Sequence, residues 1–260
     1  MSRPTTPFTA VVLAGDRSSE DPVARAAGVR SKSLIPVGGT PMVLRVIDAL
    51  ESAREIEGVV LCGPDKSAVD QEQELRLRIG SGKVKWLESQ TTPSSSTYYA
   101  MQSLSDSAPV LVTTADHALL TAEMVNYFCS GVRKSDKDVV VGLVLHELVT
   151  AQYPETKRTA IQLADGSYCS CNLFGFLTPE ARSAAYFWRK VESQRKKTLR
   201  VIAGFGWLNL LRYVLKRPSL EQGLGQISQR LGLRAGAVVM PFPEAAVDVD
   251  TVSDWKLVQS

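Results

Sequence analysis

The chain has 260 residues, 44% of them hydrophobic and 22% charged, with a net charge of +3. These are the proportions of an ordinary globular protein, long enough for one large α/β domain. The mild positive charge favours an anionic small ligand and is too small to indicate nucleic acid on its own, and no apolar run approaches the roughly 18 residues of a membrane span.

The N-terminal Met-Ser-Arg-Pro-Thr-Thr-Pro has no apolar core of a secretory signal, so a soluble, cytoplasmic protein is expected. Four cysteines, Cys62, Cys129, Cys169 and Cys171, lack the paired spacing of a metal or disulfide framework, and only two histidines accompany them. They read as buried free thiols in a reducing compartment.

In chain order, residues 8–14 form a near-continuous apolar run, as in a strand covered on both faces. A long polar loop follows, then a helix opened by Pro41 and carrying Met42, Val43, Val46, Ile47 and Leu50. Residues 58–62 are a second strand, and Pro64-Asp65 opens a charged helix ending near Gly80-Ser-Gly82. Residues 84–87 make a short strand. Thr91–Thr97 reads as a polar loop feeding a helix through Tyr98, Met101 and Leu104. A strand before Asp116, a helix over 121–133 and a strand over 138–145 complete the alternation. That rhythm predicts an α/β fold with a doubly wound, mostly parallel sheet.

The rhythm then changes. Residues 158–163 and 168–177, joined by Asp165-Gly166, read as a hairpin. Mainly helical sequence follows over 178–231, with a capping box at Ser219–Gln222, and a last strand over 235–240 leads to Asp250. The amphipathic, basic stretch 206–217 reads as a face packed on the sheet rather than a membrane anchor. One domain is expected over 1–260, with an alternating part (1–145), a hairpin and helical subregion (146–235) and a returning element (236–260).

Asp116 and Asp250 each follow an apolar run and precede a helix-like segment. In an open parallel sheet such positions meet at the carboxyl edge, where ligands bind. Two carboxylates sharing a site call for a cation, and oxygen-only ligation suits Mg²⁺ carrying phosphates. Either residue alone reads as the N-cap of the helix after it. Gly15 lets backbone approach a ligand closely. Arg25 and Lys32 form a basic pair seven residues apart in the same loop, suited to neutralising phosphates. Neither a G-x-G-x-x-G nor a G-x₄-G-K-[ST] loop is present, which disfavours a nicotinamide or P-loop site.

Taken together, Leu13-Ala-Gly15, Arg25, Lys32, Leu34, Pro36, Gly39, Pro41-Met42, Thr114-Ala-Asp-His and Asp248-Val-Asp-Thr-Val-Ser-Asp254 resemble the signature of the MobA-like NTP transferases. These belong to the nucleotidyltransferases acting on sugar and cofactor phosphates. The resemblance implies a GT-A-like nucleotidyltransferase fold and a reaction joining a nucleotide to a phosphorylated small molecule. It implies that Leu13, Ala14 and Gly15 contact base and ribose and that Arg25 holds the β- and γ-phosphates. Lys32 would stabilise the α-phosphate, and Asp116 and Asp250 would hold Mg²⁺ (or Mn²⁺). The sequence departs from the family pattern after Gly15, where Asp16–Asp21 forms a longer acidic stretch.

Ser95, in the run Ser94–Thr97, lies where such enzymes recognise the base, and reads equally as part of a helix cap. Lys157, Arg158 and Asn172 are candidate acceptor contacts. His117 reads as a packing residue rather than a metal ligand. Two other readings compete: a related-fold glycosyltransferase, for which the D-x-D of the middle strand is missing, and a non-catalytic nucleotide-binding protein.

Overall fold

The computed structural model describes residues 6–16, 21–156, 158–182, 185 and 218–259. Its strands are β1 (Phe8–Leu13), β2 (Pro36–Val37), β3 (Thr40–Pro41), β4 (Ile56–Cys62), β5 (Val84–Leu87), β6 (Val110–Thr114), β7 (Val139–Leu145), β8 (Ile161–Leu163), β9 (Gly166–Phe176) and β10 (Ala235–Val239). Its helices are α1 (Pro22–Ala27), α2 (Met42–Glu51), α3 (Lys66–Gln71), α4 (Gln73–Gly80), α5 (Pro93–Gln102), α6 (Ala122–Lys134), α7 (His146–Gln152), α8 (Leu220–Leu231) and α9 (Val252–Leu257), with single 3₁₀ turns at Lys32–Leu34 and Pro243–Ala246. Among the described residues, no helix is long and apolar enough to cross a membrane.

The main sheet runs β10-β7-β9-β6-β1-β4-β5, with β8 paired to β9. β1 lies parallel between β4 and β6, β5 extends β4 in parallel, and β10 is parallel to β7. The expected α/β architecture, a mostly parallel sheet flanked by helices, is therefore present. The alternating side chains of β1 explain its position. Ala10 and Val12 belong to a core with α2 and α6, while Val11 packs on the other face with Ala100 and Met101 of α5. A strand buried on both faces belongs in the middle of such a sheet.

A third, smaller core joins Val23, Ile35, Val37, Met42, Ala118, Val247, Val249 and Val258. It ties α1, the Lys32 turn and the C-terminal segment to one another. Phe128 of α6 is fully buried against Gly142 and Gly175 of the sheet. Phe128→Ala is expected to cost about 3–5 kcal/mol of stability in chemical denaturation, and a loss under about 1 kcal/mol would mean that this face is not tightly packed.

The structure departs from the sequence reading in several places. The hairpin β8–β9 forms, but β9 also inserts antiparallel between β6 and β7. The charged helix after Asp65 is two helices, broken at an extended Glu72. Asp70 and Glu74 stand four apart there, a like-charge spacing that weakens a continuous helix. α5 starts at Pro93 rather than near Tyr98, because Thr92 caps it and the small polar residues form its first turn. α7 directly follows β7, where no helix was expected. Of the helical stretch 178–231, the structure shows helix over Leu220–Leu231 with the expected Ser219–Gln222 capping box; residues 186–217, including the basic amphipathic stretch, lie outside the described residues.

Candidate active site

Strand register brings the site together. Leu13 pairs with Cys62 on one side and Thr114 on the other, so β1, β4 and β6 end at the same level. Two backbone bonds carry this pairing past the strand ends: Ala14 N–H donates to Cys62 O (2.8 Å) and Ala115 N–H to Leu13 O (2.9 Å). Gly15 and Gly63 then pack against each other. A Cβ on Gly63, which has φ +81°, would lie 2.9 Å from the Gly15 nitrogen, and one on Gly15 would lie 2.7 Å from Ser89 Cβ. Bare backbone at a strand edge is what close approach of a ligand requires. The first turn of α5 stands nearby, with Ser95 tied to its Thr92 cap through both backbone N–H (3.2 Å) and hydroxyl (3.0 Å).

The acidic stretch after Gly15 has structural work at both ends. Asp16 Oδ1 accepts the backbone N–H of Lys32 (2.9 Å), and burial raises the Asp16 carboxyl above its ordinary range. Asp21 caps α1 through the N–H groups of Val23 and Ala24. Arg25 stands exposed on α1, where its backbone N–H donates to Asp21 O (3.0 Å). Lys32 opens a 3₁₀ turn capped by Ser31.

From that turn the Lys32 ammonium reaches both aspartates, at 2.7 Å from Asp116 Oδ2 and 2.7 Å from Asp250 Oδ1. Burial would lower the lysine, but the two carboxylates outweigh it and hold its pKa above the ordinary value. Burial would likewise raise Asp116, yet the Lys32 charge dominates and keeps that carboxyl below its usual range. Neither aspartate caps a helix: Thr121 caps α6 and Thr251 caps α9. The N-cap alternative for both is thus overturned. Asp250 is held beside Asp116 by the Val249 N–H donated to Asp116 O (3.1 Å).

The acidic residues around the pair divide into free and committed groups. Both carboxylate oxygens of Asp248 are taken, one by the Arg158 guanidinium and the other by Asn172 Nδ2 (2.9 Å). Asp254 accepts from Thr251 N–H (2.8 Å) and pairs with Arg158 (3.3 Å). Arg158 and Asn172, expected near an acceptor, are therefore both bound to the Asp248 segment; Lys157 lies outside the described residues. His117 is buried beside Asp116, and burial pushes its pKa down to about 4, so it is neutral at pH 7.

A divalent cation fits the remaining groups. Asp116 Oδ1 is buried with no hydrogen-bond partner among the described residues, and the Asp250 side chain is 60% exposed and open to a ligand. A cationic group already lies between the two carboxylates, at hydrogen-bond distance from each. Among the described residues no group of three or more His, Cys, Asp or Glu side chains gathers as a closed cage. An open two-carboxylate site suits Mg²⁺, which keeps several waters and takes substrate phosphates as ligands. Gly63 was not named in the sequence reading, and Asp16 and Asp254 stood there only inside the acidic stretch and the terminal motif, with no role of their own. Only Asp254 had a signal there, the Thr251-x-x-Asp254 spacing of a capping box, which the structure shows formed.

Known proteins are similar to this chain in sequence or in fold. Residues 10–162 match the model of the MobA-like NTP transferase domain. A hypothetical transferase from Thermus thermophilus is 31% identical, covering 96% of this chain and 100% of that one, with a TM-score of 0.76. A 4-diphosphocytidyl-2C-methyl-D-erythritol synthase from Anaerococcus prevotii is 13% identical over 98% of this chain and 95% of that one, with a TM-score of 0.59. A CMP:2-keto-3-deoxy-manno-octonic acid synthetase complexed with CTP is 12% identical over 97% of each chain, with a TM-score of 0.54. The last two are similar in fold alone. Among curated proteins, sequence comparison finds no match. The match over 10–162, together with the Thermus relative along nearly the whole chain, shows that this chain belongs to the MobA-like NTP transferase domain family.

Proposed function

We propose that the protein is a Mg²⁺-dependent nucleotidyltransferase that moves a nucleoside monophosphate from an NTP to a phosphorylated small molecule, a sugar, polyol or cofactor phosphate. One observation carries the reading: Lys32, Asp116 and Asp250 converge within 2.7 Å contacts at the carboxyl edge of the sheet, in a chain of this family. In the reaction an acceptor phosphate oxygen forms a bond to the α-phosphorus. The bond from that phosphorus to the β-bridging oxygen breaks, and pyrophosphate leaves with the electron pair.

The acceptor oxygen is already anionic, so no side chain has to remove a proton. This agrees with a site whose nearest imidazole, His117, is neutral and buried. Gly15 and its bare neighbours would receive the base and ribose, with Ser95 close to the base. Arg25, exposed on α1, would reach the β- and γ-phosphates. The Lys32 ammonium, protonated throughout the neutral range, would face the charge gathering on the α-phosphate oxygens. Asp116 and Asp250 would hold Mg²⁺, whose chemistry there is to neutralise phosphate charge and orient the leaving pyrophosphate. Positioning and electrostatics account for the catalysis.

The test is pyrophosphate release. The protein is incubated with ATP, CTP, GTP or UTP, with Mg²⁺, and with a panel of sugar and polyol phosphates; one nucleotide and acceptor pair should release pyrophosphate in step with product. A protein that binds an NTP yet releases no pyrophosphate with any acceptor would be a nucleotide-binding protein instead.

A further inference from the structure

β9 carries an irregularity at the carboxyl edge of the sheet. It pairs with β7 at Val141↔Phe174 and again at Leu143↔Ser170, so Cys171, Asn172 and Leu173 stand opposite Gly142 alone. Gly142 accommodates the bulge, because a Cβ there would lie 3.2 Å from Leu173 Cβ and 3.3 Å from Cys171 Cβ. At the bulge Asn172 adopts φ +51°, the one positive φ among described non-glycine residues. Such a conformation costs energy and persists where the surroundings hold it, often at functional sites. Bulges serve there to re-aim a side chain.

The re-aimed side chain is the Asn172 amide, and its target is Asp248 Oδ2 (2.9 Å). From the loop before β8, Arg158 holds the other Asp248 oxygen and the Asp248 carbonyl. The same guanidinium pairs with Asp254 (3.3 Å). Asp254 in turn accepts the N–H groups of Asp250 (3.2 Å) and Thr251 (2.8 Å). Asp250 is thus gripped two residues before and four residues after its own position, while its carboxylate faces Lys32 and the site.

We propose that Asn172 and Arg158 are positioning residues that act through Asp248 and Asp254 to aim the Asp250 carboxylate at the divalent cation. The inference rests on the nucleotidyltransferase reading, in which Asp250 is a metal ligand. It assigns the hairpin a part in metal binding, separate from any contact with the acceptor. Outer groups that orient a ligand typically govern metal affinity by about 10–100-fold.

The experiment measures Mn²⁺ binding by electron paramagnetic resonance in the presence of each NTP, with no acceptor and no turnover. Asn172→Gly and Asn172→Asp are used because both tolerate a left-handed backbone while losing the amide donor. Both should bind Mn²⁺ about tenfold more weakly or worse than the full wild-type chain. Arg158→Lys, which keeps one charge but not the fork, should fall between. A residue needed only for the bulge would leave both Asn172 variants at wild-type affinity, and that result overturns the proposal. Wild-type protein that binds nucleotide but no Mn²⁺ overturns the metal reading along with it, so the two failures are distinguishable.

Discussion

Lys32→Ala is expected to lower the turnover number for pyrophosphate release by about 10²–10³-fold, the scale of losing one preorganised charge at the reacting centre. The size follows from how the lysine is held. Its backbone is fixed by Asp16, its turn by the Ser31 cap, and its ammonium lies 2.7 Å from both Asp116 and Asp250. Little reorganisation would be needed to present that charge to a phosphate. The KM for the NTP should change much less than kcat, since Gly15, Arg25 and the metal site remain. Lys32→Arg should not restore the rate, because a planar guanidinium cannot replace a compact ammonium seated between two carboxylates. Wild-type turnover in Lys32→Ala would remove the residue from the mechanism.

Much of the fold was legible because each element carried a local signature. The apolar runs of β1, β4 and β6 had to be buried on both faces, and alternation with amphipathic helices then required a mostly parallel sheet. β9 was not placed, because its pairing depends on long-range register that a hairpin pattern leaves open. The start of α5 was missed for a different reason. Serines and threonine read as loop, yet here Ser96 Oγ accepts the Gln90 N–H (2.8 Å) and Thr97 Oγ1 donates to Pro93 O (2.9 Å), which satisfies them inside the fold.

At the site, residue type and order singled out Lys32, Asp116 and Asp250, and their convergence is what a shared strand level produces. Their partners were hidden. Asp250 is preferred over Asp248 for its place in the terminal motif, but only the structure shows that Asp248 is anchored by Arg158 and Asn172 while Asp250 meets Lys32. The acidic stretch after Gly15 departs from the family pattern, but Asp16 and Asp21 are both spent on backbone N–H groups. Carboxylates turned inward onto the chain are less available to a ligand than their number suggests.

Asp116→Asn gives the other large effect, and it separates three roles. The substitution is isosteric and Asp116 caps no helix, so helix loss cannot explain a defect. Asparagine can still meet the Lys32 ammonium through its carbonyl, but it brings no negative charge to the buried position of Oδ1. If Asp116 is a metal ligand, the Mg²⁺ concentration giving half-maximal turnover should rise by at least about 10–100-fold, the range typical of groups that only orient a ligand. High Mg²⁺ should then recover part of the rate. If Asp116 serves only to aim Lys32, turnover falls at every Mg²⁺ concentration and the midpoint stays where it was. Unchanged rate and unchanged midpoint together would reduce Asp116 to a structural partner of Lys32, and the metal would have to be held elsewhere. Asp116 is the sharper probe of the pair because its backbone is fixed on both sides, by the end of β6 and by the Val249 N–H. Asp250, 60% exposed, is secured instead through its neighbours Asp248 and Asp254.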